Sequence, residues 1–104
     1  MKLEFTAKTN KTYVMINAAV FHLKTGGTIT IDRDTTEYDI EDGKLSMTWR
    51  GIYIWEINGE NVCDEPIYPS ENLIRLLEGA KVELILEDDA DHDYEVESVK
   101  WTIS

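Results

Sequence analysis

A chain of 104 residues with 42% hydrophobic and 10% aromatic content can bury one core without staples, so a single domain over residues 1–104 is expected. A formal charge of −11 argues against direct nucleic-acid binding and against an anionic membrane surface, and it favours a basic protein as partner. The lone cysteine, Cys63, excludes an intrachain disulfide and a Cys-rich zinc centre.

The chain opens on alternating apolar and polar residues, with no apolar stretch of the kind a signal peptide or a membrane span requires. A cytoplasmic location is the resulting expectation. Leu3, Phe5 and Ala7 face one way in this first strand, and a turn near Thr9-Asn10 is expected to set Phe5 against Val14. Residues 12–20 read as a second strand, interrupted in pattern at Asn17-Ala18-Ala19. A three-residue turn at Thr25-Gly26-Gly27 then predicts Leu23 opposite Ile29 and Phe21 opposite Ile31.

Asp42-Gly43 is a strong type I′ hairpin signal. Taken as the loop, it sets Ile40 against Leu45, Tyr38 against Met47 and Thr36 against Trp49. Glu37, Asp39 and Glu41 then share the opposite face with Ser46 and Thr48. Asn58-Gly59 predicts a further hairpin, with Trp55 opposite Val62 and Ile54 opposite Cys63. Its first strand is apolar on both faces, Ile52 and Ile54 on one and Tyr53, Trp55 and Ile57 on the other. Such a strand is either covered on both sides or half given to an interface, and coverage is the commoner fate.

Residues 64–69 form a connector, and a short helix is expected near 70–79. Ser70 is placed to cap it, Leu73, Ile74, Leu76 and Leu77 supply its apolar stripe, and Gly79 stops it. Two final strands follow, VELILE and YEVESVKWTI, joined by an acidic loop. The inward alternation of Tyr94 and Val96 resumes out of phase at Val99, Trp101 and Ile103, which predicts a β-bulge near Glu97-Ser98. The fold class is therefore α+β and β-rich: an antiparallel sheet or small, partly closed barrel of about seven to nine strands with one short helix.

No residue pattern marks a reaction or a cofactor. Asp89, Asp91 and Asp93 match the opening of a calcium loop, but Tyr94 stands where the sharp turn needs Gly and Lys100 where the closing Glu belongs. An irregular, weak divalent-cation site is the residual reading, and a solvated acidic loop the plainer one. His92 lies among carboxylates that favour its charged form, which cannot ligate zinc. His22 points away from Phe21 and Leu23 and reads as an exposed or half-buried strand residue. Cys63 has an acidic neighbour and no base to activate it, and no nucleophile elbow or phosphate loop occurs.

Charge placement gives the sharper expectation. Residues 1–31 carry Lys2, Lys8, Lys11 and Lys24 against Glu4, whereas residues 32–104 carry twenty acids against six bases. Glu37, Asp39 and Glu41 are spaced about 7 Å apart along one strand face, and Asp88, Asp89 and Asp91 lie in a run without Lys or Arg. Ordered carboxylates of this kind create a field like that of a nucleic-acid backbone and can occupy a basic channel. Small acidic phage and mobile-element inhibitors of restriction or CRISPR systems use that physics, a likeness of size and charge only. The expected function is thus a non-enzymatic, acidic protein-binding module, most concretely an inhibitor of a basic nucleic-acid-handling protein. The alternatives are an assembly or accessory module, a homodimer among them, that uses Tyr53 and Trp55, and a small enzyme or weak metal binder.

Overall fold

The structure, a computed structural model, describes residues 2–10, 16–34, 37–62, 71–86 and 96–103. Nine strands and one helix lie within them: β1 (Leu3–Thr9), β2 (Ile16–His22), β3 (Thr28–Asp32), β4 (Glu37–Glu41), β5 (Lys44–Trp49), β6 (Tyr53–Ile57), β7 (Glu60–Asn61), α1 (Glu71–Leu77), β8 (Lys81–Leu86) and β9 (Val96–Ile103). They form two antiparallel sheets, one ordered β4-β5-β1-β9 and the other β7-β6-β3-β2-β8, rather than a closed barrel.

Period-two patterning explains the two layers. Leu3, Phe5 and Ala7 on β1 and Leu45, Met47 and Trp49 on β5 turn inward from the first sheet, where they meet Ala19, Phe21, Ile29, Ile31 and Ile54 of the second. The aromatic rings tie the layers together. Phe5 packs on Trp49 at 4.8 Å between centroids and on Phe21 at 6.3 Å, and Phe21 meets the edge of Trp101 at 4.9 Å. Each fully buried large side chain contributes about 1.5–3 kcal/mol relative to exposure. Leu73, Leu77 and Ala80 carry the helix and its exit into the same core. A hydrogen bond from Trp101 Nε1 to the Ala80 carbonyl, 2.9 Å, fastens that exit to β9.

Several predicted registers are present. Ile40 faces Leu45 and Tyr38 faces Met47 across a turn in which Asp42 and Gly43 both take positive φ, 52° and 77°. The Val62 amide donates to the Trp55 carbonyl at 2.9 Å, beyond an Asn58-Gly59 turn of the same hand. The late bulge is there too: β9 shifts register against β1 between the Thr6–Lys100 and Lys8–Glu97 pairs, and Ser98 has φ 55°. The helix lies within the predicted span and ends before Gly79, whose φ is 76°.

Three expectations need correction. First, β1 does not pair with the segment that follows it. Phe5 stands between Met47 of β5 and Trp101 of β9, because those partners align three large inward side chains in one row, while β2 belongs to the other sheet. Second, the β2–β3 turn is longer than three residues. Phe21 faces Ile29 and Ala19 faces Ile31. The loop from Leu23 to Gly27 is closed by Leu23 N–H to the Gly27 carbonyl and Gly26 N–H to the Leu23 carbonyl, with both glycines at positive φ. A shift of two residues keeps every side chain on its face, so hydrophobic patterning alone does not distinguish the two registers. Third, β6 is not covered on both sides: Ile52 and Ile54 are buried, whereas Tyr53 and Trp55 remain 38% and 40% exposed. Val14, Thr36, Cys63, residues 64–70, His92 and Tyr94 lie outside the described residues.

Candidate partner-binding surfaces

The outer face of the first sheet can be laid out row by row from its registers. Glu37, Thr48, Glu4 and Thr102 form one row, Asp39, Ser46, Thr6 and Lys100 the next, and Glu41, Lys44, Lys8 and Glu97 the third. The predicted carboxylate row on β4 therefore exists, with Glu37, Asp39 and Glu41 all exposed. It does not stand alone. The Arg50 guanidinium donates to Glu37 at 2.7 Å, and that hydrogen bond, reinforced by the carboxylate's charge, raises the Arg50 pKa above its ordinary value. Lys2 pairs with Glu4 at 2.8 Å, and Lys44 stands opposite Glu41. Apart from the turn residue Asp42, five carboxylates (Glu4, Glu37, Asp39, Glu41, Glu97) share this region with five cations (Lys2, Lys8, Lys44, Arg50, Lys100). The face is charge-balanced.

The second sheet differs. Its outward rows run Lys81, His22 and Thr28, then Glu83, Val20, Thr30 and Glu56, then Ile85, Ala18, Asp32 and Tyr53. A register shift in β6 between its pairings with Thr30 and Ile31 leaves Trp55 as the extra residue, so Trp55 stands beside Glu56 on the outer side. Ala18 and Thr30 form a floor of small residues, 1% and 8% exposed, between Tyr53 and Trp55 on one flank and Ile85, 38% exposed, on the other. Large apolar side chains thus rise around small ones, with Asp32, Glu56 and Glu83 among them. The sequence marked Tyr53 and Trp55 but missed Ile85, Ala18 and the three acids. The signal that could have found them is the break in alternation at Ala18-Ala19, where consecutive small residues imply that both faces of β2 are crowded.

Two further polar features are structural in character. The Asp34 carboxylate accepts from the backbone N–H groups of Arg50 and Gly51, at 2.9 and 2.6 Å, clamping the β5–β6 connection. His22 is exposed, as predicted, with Nε2 3.3 Å from a Glu83 carboxylate oxygen. Asp88, Asp89 and Asp91 lie outside the described residues. In sequence, however, positions 87–95 hold six carboxylates, positions 63–70 hold Asp64 and Glu65, and neither segment has a Lys or Arg. Those two segments account for eight of the eleven net negative charges. Among the described residues no three His, Cys, Asp or Glu side chains converge as a metal site would need, and no helix is long and apolar enough to cross a membrane.

The chain matches no family model, no curated protein and no solved structure.

Proposed function

We propose that this chain is a non-enzymatic, cytoplasmic protein-binding domain that docks a basic partner on the outer face of its second sheet. The observation that carries this reading is the exposed pair Tyr53 and Trp55 on β6, held in register with carboxylates on β3 and β6. Aromatic anchors desolvate well and lose little side-chain entropy, and a polar rim around them sets partner choice. Acids at that rim select Lys- and Arg-rich surfaces and speed encounter with them. The acids of positions 64–65 and 87–95 add a long-range field of the same sign.

The most concrete partner is a nucleic-acid-handling protein whose basic channel the domain occupies, as an anti-restriction or anti-CRISPR inhibitor does. The β4 row contributes less to this than its spacing suggests, because cations stand beside it. Competition supplies the test: the chain is added to purified restriction endonucleases and CRISPR effector complexes, and displacement of labelled DNA is followed as salt rises. Displacement that weakens steeply with salt and is lost in Trp55→Ala is the expected result. Failure of the intact chain to displace DNA from any of them at low salt overturns the inhibitor reading. A concentration-dependent dimer that Trp55→Ala dissociates would place a second copy on this face instead.

A further inference from the structure

A concavity with three lysines opens on the surface of this acidic chain. It lies on the first sheet, where the β4–β5 turn meets the bulged part of β9, and its volume is about 720 Å³, within the range of small-ligand sites. Lys8, Lys44 and Lys100 line it, with Asp42 and Glu97 beside them. Two backbone features build it. The Thr9 amide donates to the Gly43 carbonyl at 2.9 Å, joining the end of β1 to the turn. The bulge at Ser98, φ 55°, breaks the β1–β9 ladder between Thr6 and Lys8 and redirects β9.

One pair among these lysines is placed in a way that folding alone does not favour. Lys8 stands directly opposite Lys44, a like-charge pair that is destabilising on a sheet face. Lys100 stands opposite Thr6, diagonal to Lys8, so all three side chains start within about 8 Å of a neighbour in the group. Glu41 and Glu97 are the register partners of Lys44 and Lys8. Neither closes an ion pair, and none of the three ammonium groups has one among the described residues. Three lysines without an ion pair among the described residues thus line one groove.

The geometry points to a site for a compact dianion, a phosphate or the phosphoryl group of a small phosphate monoester. A tetrahedral dianion offers an oxygen to each ammonium and relieves the repulsion between Lys8 and Lys44. The exposed Ser98 side chain, also in the lining, provides a hydroxyl donor. The surrounding acids set the selectivity. Beyond about 8 Å at physiological salt the charge of the rest of the chain is screened, so a small ligand feels mainly the groove's own lysines and carboxylates. An extended polyanion would also meet Asp42, Glu97 and Glu41 and be repelled. The site is independent of the face that binds the basic partner.

Amide chemical shifts of the full chain, titrated at constant physiological ionic strength with inorganic phosphate and separately with phenyl phosphate, test this assignment. Saturable shifts at Thr9, Gly43 and Ser98 are expected, weakened roughly fivefold by Lys44→Gln, a loss of the order of one ion-pair contact. Lys2→Gln, outside the groove, should leave them unchanged. Phosphate alone saturating the site identifies the free ion as ligand, whereas both saturating it identifies the phosphoryl group. Shifts that grow linearly without saturating, that chloride reproduces at matched ionic strength, or that survive Lys44→Gln and Lys100→Gln together overturn the proposal.

Discussion

The outer faces of the two sheets are built by the same alternation and end with different surfaces. On the first, each carboxylate-bearing strand lies near a strand or turn that supplies lysine or arginine, so the face as a whole carries little net charge. On the second, small residues at Ala18 and Thr30 let Tyr53, Trp55 and Ile85 stand around them, and the acids there are less well compensated. A row of like charges in the sequence therefore says little until its cross-strand neighbours are known. An apolar residue in an outward register says more, because exposure of an aromatic ring costs free energy that water does not return.

Substitutions can break this contrast at several strengths. Replacing both Tyr53 and Trp55 by Ala is expected to cost about 4 kcal/mol of partner binding, on the scale of two aromatic hot spots. Glu37→Gln, Asp39→Gln and Glu41→Gln combined should cost well under about 1 kcal/mol. Isothermal titration with the displaced enzyme measures both, and equal losses would erase the distinction between the faces. Next in size is Gly27→Ala. At φ 88° a side chain is strained, and its Cβ would run into the Asn58 side chain whose Oδ1 accepts the Thr28 amide. Destabilisation of about 1–3 kcal/mol is expected in urea unfolding. Gly59→Ala, with positive φ but open space, should lose less.

Asp34→Ala removes the acceptor of two backbone N–H groups at the β5–β6 connection and should cost about 1–3 kcal/mol, read by the same unfolding curves. The smallest effect on stability belongs to Arg50→Ala, which breaks one solvent-exposed ion pair. Its value lies elsewhere. Combined with Lys44→Ala it leaves the first sheet net negative, and that face should then gain salt-sensitive attraction for a cationic protein, read as tighter retention on a cationic protein column at low salt than the native chain shows.

Much of this fold is legible in sequence because local chemistry dictates it. Asp42-Gly43 and Asn58-Gly59 take left-handed conformations that Asn, Asp and Gly tolerate best, so the hairpin registers follow from the turns. The phase break between Val96 and Val99 marks the bulge at Ser98 just as directly. Which strands share a sheet is a different kind of fact. Phe5 packs equally well by pattern against Val14 or Trp101, and only the assembled core decides for Trp101. The β2–β3 register slipped by two for a related reason: a glycine pair permits turns of more than one length, and both lengths keep Phe21 inward. At the surface, the acids were countable from sequence, but their counter-charges come from Lys8, Lys44, Arg50 and Lys100, on segments distant in the chain.

Trp55 also reports on its own surroundings. Of the three tryptophans, Trp49 is buried, Trp101 is half-buried with its indole N–H bonded to Ala80, and Trp55 is the exposed one. Acrylamide quenching of the intact chain, with and without a basic partner in a complex verified by co-elution, therefore reads the second sheet's face directly. Docking there predicts that the accessible fraction of tryptophan emission falls when the partner binds. An accessible fraction unchanged in the complex would contradict it.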